Sequence, residues 1–397
     1  MSETFLAKTS KRLPSIDAYR ALNMLLMIFV NDLESVKGLP YWVDHAKDFE
    51  DRMGFADSIF PAFLFIVGLS IPHALNRKIS KGESAIAISF GIISRSFALL
   101  LMGFFHVNLE SYSRLALLPE GLWELLITLA FFLVWIDYSE AISKLNQNIL
   151  RLFGVVILIT MAILYKGGDT GSLETHWMRP EWWGILGIIG WAYLVSAFVY
   201  FFAKGNLVLL IIAFLAFLGL NIAVHGWHIR INITGIADGS ALAQVLGGII
   251  ISIGYSRLVA QSYNAGLWLK LLLAGAASIG LGFILRPYTG GISKIHSTPA
   301  WVMICTGISI LVFTGIAYLV DLKGKKKWFN LIWPAGTATL TCYLIPYFQV
   351  GFYKIFHFVY PHFLNFAWGG FVRSWVVAFA VVLIGGYLER KLLKLKI

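Results

Sequence analysis

Near the start of the chain, a histidine and a carboxylate stand twelve residues apart in a polar loop. The stretch Tyr41–Phe65 reads YWVDHAKDFEDRMGFADSIFPAFLF and separates two apolar runs. A histidine exchanges protons near neutral pH without heavy tuning. His45 is therefore a candidate general base toward an amine or hydroxyl, or a nucleophile that carries an acyl group. Asp57 heads the following apolar run. It reads either as a carboxylate favoured by a helix amino terminus or as the partner that fixes an imidazole tautomer. Pro61, four residues on, removes a helical hydrogen bond and predicts a kink beside Asp57.

Other polar groups lie where an apolar chain makes them costly. Asp17 and Arg20 are three apart and can pair on one helix face. Asn31 and Asp32 close the first apolar run; the Asn31 amide reads equally as a cap or as a group orienting a substrate carbonyl. Arg77, Lys78 and Lys81, with Arg95, form a basic region that reads as topological anchoring or as a seat for phosphates. Glu120 and Glu124 are four apart at the start of a later run. His225, His228 and Asp238 share a loop, but their H-x-x-H spacing alone is a weak metal signal, and no metal is expected. Cys305 and Cys342 both sit in apolar runs and suggest core packing rather than thiol chemistry.

The elements that must position these groups follow from composition. The 397 residues are 58% hydrophobic and only 13% charged, and mean hydropathy is +0.75. Soluble domains carry about 25% charged residues. Apolar runs of about 20 residues recur along the whole chain and predict an all-α, polytopic membrane helix bundle of about 10–12 transmembrane helices. They fall near 15–33, 55–75, 85–105, 115–136, 149–165, 183–203, 206–224, 239–260, 267–285, 300–320, 331–352 and 371–389. Residues 1–397 read as a single transmembrane domain. Glycines such as Gly247, Gly248, Gly254, Gly275, Gly280 and Gly282 predict close helix packing.

The net charge of +11 reads as topology rather than nucleic-acid binding. Basic residues gather in alternate loops, among them Lys8, Lys11, Arg12, Lys323, Lys325 and Lys396. The positive-inside rule then predicts that both termini are cytoplasmic and that the His45 loop faces outward.

Several motifs carry a resemblance. RLPSIDAYRALNMLLMIFVND is followed by a loop with H-A and then A-D-x-x-F-P-x-F-x-F. SRSFALLLMGFFHVN, GGISKIHSTPAWV and the V-D-x-K-G signal in YLVDLKGKKKWF agree with it. These stretches resemble the heparan-α-glucosaminide N-acetyltransferase family of transmembrane acyltransferases and its bacterial relatives. The resemblance implies an acyl-CoA donor such as acetyl-CoA, entering from the cytoplasm, and a sugar or glycan acceptor outside. It matches His45 to the family's loop histidine, Asn31 to the asparagine closing the first core span and Asp57 to the aspartate before F-P. Donor phosphates would meet Arg95, Arg77 and Lys78. Two departures stand out. The His45–Asp57 spacing looks about two residues longer than in the heparan enzyme, and the family's G-x-L-Q-R segment is here Gly121-Leu-Trp-Glu124. No counterpart of the lysosomal enzyme's lumenal domain is seen, so a bacterial inner-membrane setting is expected. The motifs leave open whether His45 carries the acyl group or only deprotonates the acceptor, and whether an amine or a hydroxyl receives it. They also leave open whether the protein is a homodimer. The rival reading is a secondary transporter or an envelope-glycan flippase, since twelve spans with both ends inside is a common transporter layout.

Overall fold

A computed structural model describes residues 13–140, 142–168, 174–229, 234–261, 263–391 and 393–395. Lys8, Lys11, Arg12 and Lys396, used in the charge reading, lie outside the described residues. The fold is all-α. Each expected span coincides with a helix: α1 (Pro14–Leu33), α2 (Ile59–Ser80), α3 (Ala85–Leu109), α4 (Glu120–Trp135), α5 (Lys144–Leu164), α6 (Ile185–Ala203), α7 (Leu207–Gly226), α8 (Ser240–Gln261), α9 (Ala265–Leu285) and α10 (Pro299–Ala317). A short α11 (Trp333–Thr337) then precedes α12 (Thr339–Phe356) and α13 (Ala367–Arg390). A two-residue hairpin, β1 (Gly167–Gly168) with β2 (Thr175–His176), is the strand structure among the described residues. Nine helices among the described residues are long and apolar enough to cross a membrane. The others are α1, which carries Asp17, Arg20 and Asp32, the 16-residue α4, the five-residue α11, and α12, with Pro346 inside it and Lys354 in its last turn.

Local chemistry sets the helix ends, and in places it corrects the expected bounds. The span expected from 115 starts at Glu120, because Pro119 holds a non-helical φ of −59° and ψ of 141° before it. The span expected from 149 starts at Lys144, where the Ser143 hydroxyl accepts the Asn146 N–H at 3.2 Å. The span expected over 331–352 is two helices, broken at Ala338 (φ −117°, ψ 42°). Asn206 and Asn264 cap α7 and α9 in the same manner as Ser143, accepting the N–H groups of Val208 and Leu267 at 3.0 and 2.9 Å. Apolar side chains of α5 and α7, such as Phe153, Ile163, Ile212 and Leu215, are exposed, as suits helices whose solvent is lipid.

The helices assort into two compact units. The first holds the described residues up to Asn23, Leu39–Ser96 and Ile189–Asn330. Within it α2 and α8 approach so closely that a Cβ at Gly68 would overlap the Val245 carbonyl oxygen, and one at Gly248 the Phe65 carbonyl oxygen. The Ser252 hydroxyl donates to the Leu69 carbonyl at 2.8 Å across the same seam. α9 meets α10 at Gly275 and Gly307. Small residues let backbones approach where lipid supplies no hydrophobic drive. Gly254 and Gly280 stand instead in open space. The expected Asp17–Arg20 pair forms at 3.2 Å, and Arg20 also donates to the Ser70 hydroxyl at 2.6 Å.

The second unit holds Met24–Gly38, Phe97–Ile188 and Leu331–Ile397. Its buried charges are paired, as burial requires. Arg373 donates from Nε to Asp32 Oδ2 at 3.1 Å and from Nη2 to the Asp32 carbonyl at 2.9 Å; it also contacts Asn365 and Ser35. Glu124 receives the Lys354 ammonium at 2.8 Å, while Glu120 receives it at 2.6 Å.

The α2–α8 seam generates a stability prediction. Gly248→Ala forces a methyl group against backbone, an overpacking cost of about 1–3 kcal/mol. The expected outcome is a Tm lowered by several degrees in detergent, with Gly254→Ala on the same helix unchanged. Equal behaviour of the two variants in a thermal-unfolding assay overturns the seam as a determinant of stability.

Candidate active site

The loop 41–56 folds back on itself before entering α2. The Phe55 N–H donates to the Trp42 carbonyl at 2.8 Å, and the Ala56 N–H donates to the Val43 carbonyl at 3.1 Å. This pinch needs glycine at position 54, where a Cβ would overlap the Asp44 carbonyl oxygen. It brings Asp57 under the loop rather than beside it. The Asp57 side chain is 1% exposed, that of His45 29%. The carboxylate is thus hidden while the imidazole stays reachable.

Asp57 accepts three hydrogen bonds. His45 Nδ1 lies 2.6 Å from Oδ1, and the backbone N–H groups of Ala46 and Gly54 each reach Oδ2 at 2.9 Å. A carboxylate so placed is acceptor-only, which puts the ring proton on Nδ1 and leaves Nε2 with its lone pair. The His45 backbone is itself fixed by its N–H donating to Asp44 Oδ1 at 2.8 Å.

A second loop completes the site. Residues 286–298 lie between α9 and α10 and bring Lys294 to 3.2 Å from His45 Nδ1 and 4.0 Å from Asp57 Oδ1. With Nδ1 donating to Asp57, the ammonium's attraction is to the carboxylate, so the charge of Asp57 is balanced in the resting site. From α10, Trp301 Nε1 donates to the Asp57 carbonyl oxygen at 3.2 Å. Pro61 explains why that oxygen is available: it has no N–H to return to residue 57. Pro61 lies in the first turn of α2, where a missing N–H is tolerated.

The two loops are tied by charges on both. Arg286 Nε meets Asp51 Oδ2 at 2.9 Å, the Ile292 N–H donates to Asp51 Oδ1 at 2.6 Å, and His296 Nε2 meets Asp48 Oδ1 at 2.8 Å. Gly291 holds φ +81° and allows Asp51 to approach its backbone. Glu50 caps the Lys47 N–H at 2.9 Å; that backbone bond, with Arg52 beside it, holds its carboxyl below the usual range. Tyr41, Trp42 and Phe49 are exposed on the first loop.

Of the residues singled out in the sequence, His45 and Asp57 come together. Asn31 belongs to the second unit and is exposed in the last turn of α1. Arg77 and Lys78 end α2, with the Lys78 ammonium lying over Gly91 of α3. Arg95 is one turn further along α3, its guanidinium 5.0 Å above the Tyr193 ring. Asp57 and this basic group thus mark opposite ends of α2, about 30 Å apart at 1.5 Å per residue. His225 pairs with Asp238 at 3.5 Å. Lys294 and Trp301 were missed as site residues. Their signal was the GGISKIHSTPAWV stretch, which stood out as a motif without any of its side chains being assigned.

Comparison with known proteins agrees with the motifs over part of the chain. Heparan-alpha-glucosaminide N-acetyltransferase of Mus musculus is 33% identical over 100 residues, covering 25% of this chain and 14% of the relative. The Homo sapiens protein of the same name is 36% identical over 98 residues, covering 24% and 14%. The match thus spans about a seventh of the length of these curated relatives. The family model described as "Domain of unknown function (DUF5009)" matches residues 12–219, more than half of the 397 residues, and the chain belongs to that family.

Proposed function

We propose that this protein is a membrane-embedded acyltransferase that moves an acetyl or other acyl group from cytoplasmic acyl-CoA to an amine or hydroxyl of an extracytoplasmic sugar. The observation that carries the reading is the reachable His45 imidazole, held through Nδ1 by the buried Asp57 carboxylate at 2.6 Å. The similarity to two N-acetyltransferases supports the reaction class. The setting we propose is the bacterial inner membrane, with both termini cytoplasmic.

In the direct route, the acceptor's amine or hydroxyl attacks the thioester carbonyl carbon while His45 Nε2 takes its proton. The tetrahedral adduct collapses, the C–S bond breaks, and the proton passes from Nε2 to the departing thiolate. In the two-step route, Nε2 itself attacks and the C–S bond breaks to release the thiolate; the acceptor then takes the acyl group from the imidazole, and its proton passes to that thiolate. Either way the ring becomes cationic, and Asp57 stabilises that cation and fixes which nitrogen reacts. Arg77, Lys78 and Arg95 are assigned the donor's phosphates. The length of α2 then suits a donor whose charged end stays in the cytoplasm while its thioester crosses the hydrocarbon region.

Purified protein given acetyl-CoA and amino-sugar acceptors tests this by CoA release. His45→Ala should lower turnover by about 10²–10⁴-fold. Unchanged turnover in that variant removes His45 from the chemistry, and His45-dependent solute uptake by vesicles without CoA release replaces the enzyme reading with a transporter.

Asp57→Asn offers a separate check. An amide turned with its NH₂ toward Nδ1 requires that nitrogen to accept, which moves the ring proton onto Nε2 and blocks it. The expected loss is as large as about 10⁴-fold, with acetyl-CoA binding retained. A variant that turns over at the parental rate would show that Asp57 serves only to fold the loop.

A further inference from the structure

Gln244, in the second turn of α8, is 1% exposed, and neither its amide nitrogen nor its amide oxygen has a hydrogen-bond partner among the described residues. A buried carboxamide with two donors and an oxygen unsatisfied is costly, of order 1–3 kcal/mol per orphaned group. A leucine of similar size would avoid that cost, so the side chain calls for a ligand.

Its position says which. Gln244 and Gly248 are one turn apart on the same helix face. That face packs on α2, with Gly248 at Phe65 and Ser252 at Leu69. The same register carries Gln244 to the level of Pro61, one turn inward from Asp57, or about 6 Å along the helix axis. Its neighbour Ala243 packs in the cluster that holds Trp301, whose indole binds the Asp57 carbonyl. By this register position 244 lies about one turn from Asp57 along α2, toward its basic end.

We propose that Gln244 recognises a secondary amide in the extended arm of the acyl donor. Its NH₂ donates to the amide carbonyl oxygen; the N–H of a trans secondary amide points the opposite way, so this one bond carries the recognition. This deepens the acyltransferase reading and rests on it. In a cysteamine-linked thioester, four single bonds separate the reacting carbonyl carbon from the nearest amide nitrogen, a span comparable to one helical turn. Pairing at Gln244 would set how far the thioester protrudes toward His45. Gln244 is thus a positioning residue, acting on the donor's arm rather than on the reacting atoms.

The test is binding to the purified full-length protein by calorimetric titration. The probes are acetyl-CoA, S-acetyl-N-acetylcysteamine, and an analogue of the latter with its amide replaced by two methylenes. Gln244→Leu should weaken the two amide-bearing probes by about 10–100-fold and leave the amide-free analogue within about twofold of its parental value. The Tm should stay level or rise, because an unsatisfied amide is replaced by an apolar group of similar size. Gln244→Glu, which keeps an acceptor and loses the donors, should weaken the amide-bearing probes as well. If the parental protein binds the probes and Gln244→Leu binds them equally, or weakens all alike, the assignment of Gln244 is overturned and the acyltransferase reading stands. If the parental protein binds none of them, both fall.

Discussion

A carboxylate removed from water needs donors on every side, and Asp57 finds them in the chain that covers it. Two backbone N–H groups from the loop and one imidazole close around it. The bonds that satisfy the charge are the same bonds that shape residues 44–57, so folding the loop and orienting His45 are one event. Lys294 adds a compensating charge from a second loop, and Trp301 satisfies the carbonyl oxygen of the same residue. Four segments of the first unit thus meet at a single residue: the loop before α2, the head of α2, the loop 286–298 and the first turn of α10.

Beneath that residue the scaffold is stiff where it counts. α2 and α8 touch backbone to backbone through Gly68 and Gly248, so the head of α2 has little freedom to tilt against its neighbour. Side chains wedged between helices can repack; carbonyl oxygens in contact with Cα atoms cannot. This geometry follows from the membrane setting, in which close approach replaces hydrophobic drive. The second unit shows a different answer to the same solvent. There, buried charges are neutralised in compact knots, Arg373 with Asp32 and Lys354 with Glu120 and Glu124.

The helices were legible because lipid demands long apolar runs, and all twelve expected spans lie on helices. Their ends were less so, since Pro119, Ser143 and Ala338 act through backbone geometry that hydropathy does not report. His45 and Asp57 were legible because a titratable pair in an apolar chain is conspicuous. Lys294 was not: a lysine in a loop carries no sign of what it approaches, and 249 residues separate it from His45. Asp48 and Asp51 were silent for the same reason, as their partners His296, Arg286 and Ile292 belong to a distant loop. The role of Pro61 was half legible. Its missing N–H is evident in the sequence, but the tryptophan that answers it is 240 positions away.

The two halves of the site's outer wall differ in how they feel the surrounding electrolyte. Asp57 is buried, and its bonds are shielded from ions. The Asp51–Arg286 pair that latches the loops is 49% and 42% exposed, well within reach of mobile ions, whose screening length is about 8 Å at physiological strength. Dissolved salt therefore loosens the latch while leaving the imidazole's anchor intact. The His45–Asp57 geometry and the closure above it answer to different variables, one to the fold and the other to the electrolyte that bathes the loops.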